Sequence, residues 1–214
     1  MKNHTMSFAA GVGCATVLAI TMTGPMQDAA SQDAGPHFDV QQMMQDLQTA
    51  HANPTEPGPF HEVLGRVAGE WDVTVRISMG PGMPAMESTG SARFEWALGK
   101  RWMVEHLDAE LNMGGTTMPL DSVTYTGYDN YRNVYVGAMF SGMSTEMIPF
   151  QGGLDPSTGT YHYYGTMHEP MLNITGRMIR FSTTFLSDDH FKSEVYDLHA
   201  GEDYKALEFE YTRK

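Results

Sequence analysis

From Glu70 onward the chain alternates. Trp71, Val73, Val75, Ile77 and Met79 occupy one phase, and Asp72, Thr74, Arg76 and Ser78 the other. That period of two predicts an amphipathic strand, apolar on one face and polar on the other. Gly80-Pro81-Gly82 breaks it. Ala92, Phe94, Trp96 and Leu98 mark a second strand, ended by Gly99-Lys100. Further strand patterns run over 101–111, 122–129, 133–140, 146–152, 160–167, 174–185, 190–198 and 204–212. Turn residues separate them, among them Asp129-Asn130, Asp155-Pro156-Ser157-Thr158-Gly159, Asp188-Asp189 and Gly201-Glu202-Asp203. No segment between the strands has the length and period of a crossover helix. The expected fold is therefore all-β, an antiparallel up-and-down barrel of about ten strands, with a sandwich as the alternative.

Ahead of the strands the period is helical. In 38–52 (FDVQQMMQDLQTAHA), Val40, Met43, Met44 and Leu47 fall near one face, until Asn53-Pro54 stops the pattern. Pro57-Gly58-Pro59 is a stiff break, and 60–67 (FHEVLGRV) predicts a second short helix with Gly69 past its end. Residues 31–58 thus read as a linker carrying a short helix, and 59–214 as the barrel domain. Residues 1–30 read as a secretory signal peptide: Lys2 precedes the uncharged run Phe8–Met22. Fifteen residues are short for a membrane span, which takes about 20. The expectation is a secreted or periplasmic protein with no membrane insertion once the signal is removed. An uncleaved anchor and a lipidated Cys14 are the alternatives.

Composition narrows the classes further. The chain has 214 residues, 41% of them hydrophobic, so one domain with a real core is expected. Thirteen basic against 26 acidic residues give a formal charge of −13, which repels phosphate backbones and argues against nucleic-acid binding. Cys14 is the sole cysteine, so neither an internal disulfide nor a thiolate metal cluster is available.

A barrel must join its first and last strands. Leu207, Phe209, Tyr211 and Arg213 share a phase on the last strand, and Trp71 opens the first. If those two strands pair antiparallel, the Arg213 guanidinium can lie over the Trp71 indole, a contact of about 1–2 kcal/mol when shielded from water. Otherwise Arg213 is a solvated terminal cation. Gly69-Glu70-Trp71 after a short helix, together with a late arginine, resembles the lipocalin-like (calycin) signature. At greater length, residues 59–214 resemble the secreted-barrel family known as domain-of-unknown-function family 1579. The stretches that carry this resemblance are GEWDVTVRISMGPGMPAMESTGSA, LGKRWMVE, TGYDNYRNVYV, GGLDPSTGTY and EFEYTRK. It implies a lipocalin-like barrel in the envelope or outside the cell, and it implies no activity. His106, His162 and His199 stand where that family is expected to carry other residues, so no role transfers to them.

Candidate chemistry is sparse. Nine histidines form no HxH or HExxH pattern, so neither a metal nor a cofactor is assigned, although one histidine could serve haem axially. On the third strand His106 shares a phase with Trp102 and Val104, and Glu105 shares the other with Met103 and Leu107. One of the two polar groups must face the apolar side, where it needs a partner and can mark a ligand site. His162, between Tyr161 and Tyr163, is expected to point outward. Eighteen methionines, with loop groups at Met79, Met83 and Met86 and at Met139, Met143 and Met147, suit adaptable packing, with Cu(I) as the alternative. Asp188-Asp189-His190 reads as a turn, no Gly-x-Ser-x-Gly elbow exists, and no catalytic residue is assigned. The expected function is therefore to bind a small, largely apolar molecule inside the barrel. Val75, Phe94, Val104, Tyr125, Val136, Phe140 and Tyr163 are the expected lining, and Glu105 and His106 the polar contacts. A packed structural barrel and an enzyme using an inward acid and histidine are the competing classes.

Overall fold

The computed structural model of the protein describes residues 39–113, 116–169 and 173–214. The candidate signal segment and Cys14 lie outside them. Two helices come first. Asp39 caps α1 (Val40–Ala52), its carboxylate accepting from the Gln41 and Gln42 N–H groups. Pro59 opens α2 (Pro59–Leu64), which tightens into a 3₁₀ turn over Gly65–Val67.

Ten strands follow: β1 Gly69–Ile77, β2 Met86–Ala97, β3 Trp102–Met113, β4 Thr116–Asp129, β5 Val134–Ser141, β6 Met147–Asp155, β7 Thr160–Glu169, β8 Ile174–Ser187, β9 His190–Asp197 and β10 Lys205–Arg213. Each pairs antiparallel with its neighbours in the chain, and β1 pairs with β10, so the sheet is a closed up-and-down barrel. The expected architecture is the observed one, with local differences in strand bounds, among them a β4 that begins at Thr116 rather than 122. β1 ends at Ile77, leaving Met79 exposed in the β1–β2 connection rather than in the strand's apolar row. β2 begins at Met86, well before Ala92. Its early inward positions, Ser88, Gly90 and Ala92, are small because they lie opposite Val75, Val73 and Trp71, which fill the space. A Cβ on Gly90 would collide with the Ala109 side chain and the Asp108 carbonyl. Hydrophobic periodicity cannot register a strand whose inner face is built from such residues.

The seam between β1 and β10 is sealed on both faces. Inside, Trp71 pairs in register with Arg213, and the guanidinium carbon lies 4.1 Å from the indole centroid. The same guanidinium donates to the Ala68, Arg66 and Asp188 carbonyls and to the Asp189 carboxylate, at 2.8–3.0 Å. The indole Nε1–H donates to the Val67 carbonyl at 2.7 Å. Gly69 adopts φ +121°, open to glycine alone, and a Cβ there would stand 3.1 Å from the Arg213 guanidinium. Outside, Arg76 of β1 binds Glu208 and Glu210 of β10, each at 2.7 Å, and Glu87 of β2 at 3.0 Å. His190 and Lys192 of β9 reach Glu210 at 2.9 and 3.6 Å. These contacts hold the Glu210 carboxyl at about 2, with the Arg76 hydrogen bond the largest cause.

Two predictions follow from the seam. Arg213→Ala should lower stability by about 3 kcal/mol, through lost charge-assisted hydrogen bonds and lost stacking. Arg213→Lys should recover less than half of that, because an ammonium cannot copy the fork; equal urea midpoints for Arg213→Lys and the parent would contradict it. Glu210 is held below its ordinary range, so its contribution is present above about pH 4.5 and is lost as pH falls toward about 2. Glu210→Gln should therefore flatten that limb of the Tm profile, and an unchanged acid slope would contradict it.

Candidate functional site

The inward rows of the strands do not fill the barrel evenly. Against β1, β9 and β10 the interior is packed. Phe191 and Tyr211 stack at 4.2 Å, Trp71 meets Phe191 edge-on at 4.9 Å, and Val73, Val75, Leu107 and Leu111 complete the cluster. Beside this wall lies a cavity of about 260 Å³. Val63, Leu64 and Val67, from α2 and the turn after it, line its helix-covered end. That end is fixed by the Tyr135 hydroxyl donating to the Phe60 carbonyl at 3.0 Å and by Phe60 stacked on Tyr128 at 4.4 Å. Aromatic rings, aliphatic chains and Met103, Met139 and Met167 line the rest, with hydroxyls from Ser122, Thr124, Thr126, Ser141, Thr183 and Ser193.

Glu105 is the only carboxyl in this lining, and no Lys, Arg or His joins it among the described residues. Its register neighbours are Phe94 on β2 and Thr124 on β4. Tyr211 reaches it across the interior, donating its hydroxyl at 2.7 Å, and Thr124 supplies a second hydrogen bond. Burial pushes the Glu105 carboxyl up, and the two hydrogen bonds pull weakly the other way. Burial and the nearby carboxyl push the Tyr211 phenol far up.

The expected lining divides. Phe94, Glu105 and Tyr163 lie on the cavity. Val75 is interior but belongs to the packed wall. Val104, His106, Tyr125, Val136 and Phe140 are instead on the outer face and do not line the cavity. His106 and Val104 flank inward Glu105, and His106 sits 3.3 Å from Glu95 on the outside. Tyr125 lies between inward Thr124 and Thr126, and Phe140 between inward Met139 and Ser141; they are 40% and 42% exposed and meet edge-on at 6.4 Å. Val136 follows Tyr135, whose hydroxyl is tied to Phe60 inside. The physical reason is that β3, β4 and β5 carry apolar residues in both phases. On β3 the inward row is Met103, Glu105, Leu107, Ala109 and Leu111, with Glu105 held in it by Tyr211; on β5 inward Tyr135 is tied to Phe60.

The other singled-out residues are peripheral. His162 shares a 2.9 Å hydrogen bond with Ser182, and burial pushes its imidazole down. His199 is exposed next to the β9–β10 turn. Asp188 and Asp189 form the β8–β9 turn and bind Arg66 and Arg213. Met79, Met83 and Met143 are exposed in connections at the end opposite the helix. Among the described residues no group of three or more His, Cys, Asp or Glu is placed to hold a metal ion, and no helix is long and apolar enough to cross a membrane. Sequence reasoning missed Thr124 and Tyr211, the two partners of Glu105. The phase shared by Tyr211 and Arg213 carried a signal for Tyr211.

A buried carboxyl raised above its ordinary range costs stability progressively as pH rises through its folded pKa. Glu105→Gln keeps an acceptor for Tyr211 and removes that cost. The Tm advantage of Glu105→Gln over the parent should grow as pH rises above the ordinary carboxyl value of about 4.5; an advantage that shrinks with pH would contradict it.

No curated protein is matched by this chain. A family model does match, over residues 56–213, which take in α2 and all ten strands. The chain belongs to the family described as protein of unknown function (DUF1579).

Proposed function

We propose that this barrel is a secreted or periplasmic carrier that encloses one small, largely apolar molecule. The carrying observation is the cavity of about 260 Å³ beside a wall that is fully packed. A barrel whose interior served structure alone has no physical use for such a void, because unfilled space forfeits dispersion contacts and stability. Burying roughly 200 Å² of apolar ligand surface contributes about 5 kcal/mol before ordering costs are subtracted. Met103, Met139 and Met167 can re-pack around guests of different outline. The location rests on the composition of residues 1–30, and the formal charge of −13 disfavours nucleic acid as a partner.

An apolar dye whose emission rises on leaving water should bind with one-to-one stoichiometry. Ser122→Trp, which fills the cavity from β4, should abolish the signal while leaving the circular dichroism spectrum unchanged. No dye binding by the parent protein would favour a packed structural barrel and end the carrier reading.

A further inference from the structure

The cavity's charge pattern is one-sided. Nine aromatic rings line it, with a single carboxyl and no basic side chain among the described residues. A carboxylate has acceptor capacity for about four hydrogen bonds, and Glu105 receives the Tyr211 and Thr124 hydroxyls. Neither brings a charge. Burial without a counter-charge pushes the Glu105 carboxyl up, whereas a cation placed beside it would favour the charged form. The lining itself supplies no cationic partner for this acid among the described residues.

We propose that the guest carries a positively charged nitrogen, a lipophilic amine whose ammonium sits against Glu105 while its apolar body fills the aromatic part of the cavity. This rests on the carrier reading above. Two further observations point the same way. Aromatic rings attract cations at their faces, and Phe94 stands in register beside Glu105 on the neighbouring strand. Ser122 and Thr126 flank Thr124 on the same inward row of β4, and their hydroxyls can accept from the remaining N–H groups. The field of the whole molecule acts likewise: a formal charge of −13 gathers cations and repels anions. A fatty acid or phosphate ester would place its anion beside Glu105 with no cation inside to receive it.

The test is competition against the bound apolar dye by octylamine, octanol and octanoate at neutral pH. These share a chain and differ at the polar end. Octylamine should compete at roughly tenfold lower concentration than octanol, and octanoate should be the weakest, because a charge-assisted pair is the stronger one. Glu105→Gln should bring octylamine to the level of octanol, each competitor being read against that variant's own dye affinity. Tyr211→Phe, which frees one carboxylate oxygen, should keep the amine preference and guards against a folding defect in the first variant. The proposal falls if octanol or octanoate matches octylamine, if none of the three competes, or if Glu105→Gln leaves the preference intact. In each case dye binding by the parent keeps the carrier reading standing, whereas loss of dye binding itself would end both.

Discussion

The structure depends on one meeting, that of the first strand with the last. Trp71 and Arg213 are about 140 residues apart in the chain, and bringing such distant points together costs on the order of 4 kcal/mol in chain entropy plus a constant. The local hairpins carry no comparable cost. The side chains reflect this difference. Arg213 spends its whole guanidinium on the seam, stacked on Trp71 and bonded to backbone on both sides of the junction. Gly69 leaves the room it needs, and Arg76 with its glutamates fastens the outside. Closure also removes the free sheet edges that would otherwise invite pairing with other chains.

The seam also explains why the interior is lopsided. Large side chains gather where closure has to be secured, so Trp71, Phe191 and Tyr211 make a solid wall. Space is left over toward the opposite strands, where Ser122, Thr124 and Thr126 of β4 and Ser141 of β5 point inward. Gly137 adds to the effect on β5, its missing Cβ giving room to the Phe150 ring. The helix-covered end is fixed by the same residues that serve closure, since Arg213 holds the Arg66 and Ala68 carbonyls.

Much of this was legible in the sequence, and the limits have physical causes. Trp71, Val73 and Val75 alternate cleanly with polar residues because one face meets the core and the other meets water, so β1 and its phase were plain. The pairing of Trp71 with Arg213 could be read because it needed only that phase and the topology of a closed sheet. The site was harder. In the middle of β4 the inward row is Ser122, Thr124 and Thr126, between inward Leu120 and Tyr128, and the outward row includes Tyr125, so the usual rule of apolar inside runs backwards over that stretch. On β3, Glu105 lies inside among Met103, Leu107, Ala109 and Leu111, while apolar Val104, also buried, is on the other face; the partner that satisfies Glu105 stands on β10. A cross-barrel contact of that kind leaves no periodic trace in either strand.

The Glu105–Tyr211 hydrogen bond ties the hollow to the seam. Tyr211 stands in β10, stacks on Phe191 and through it touches Trp71. A molecule that takes up the free acceptors of Glu105 therefore shares them with the strand that shuts the ring. On the proposed reading, occupancy and closure would be thermodynamically linked: a guest held there would act as a rivet for the whole cylinder, and the rigidity of the join would gauge whether the protein is loaded.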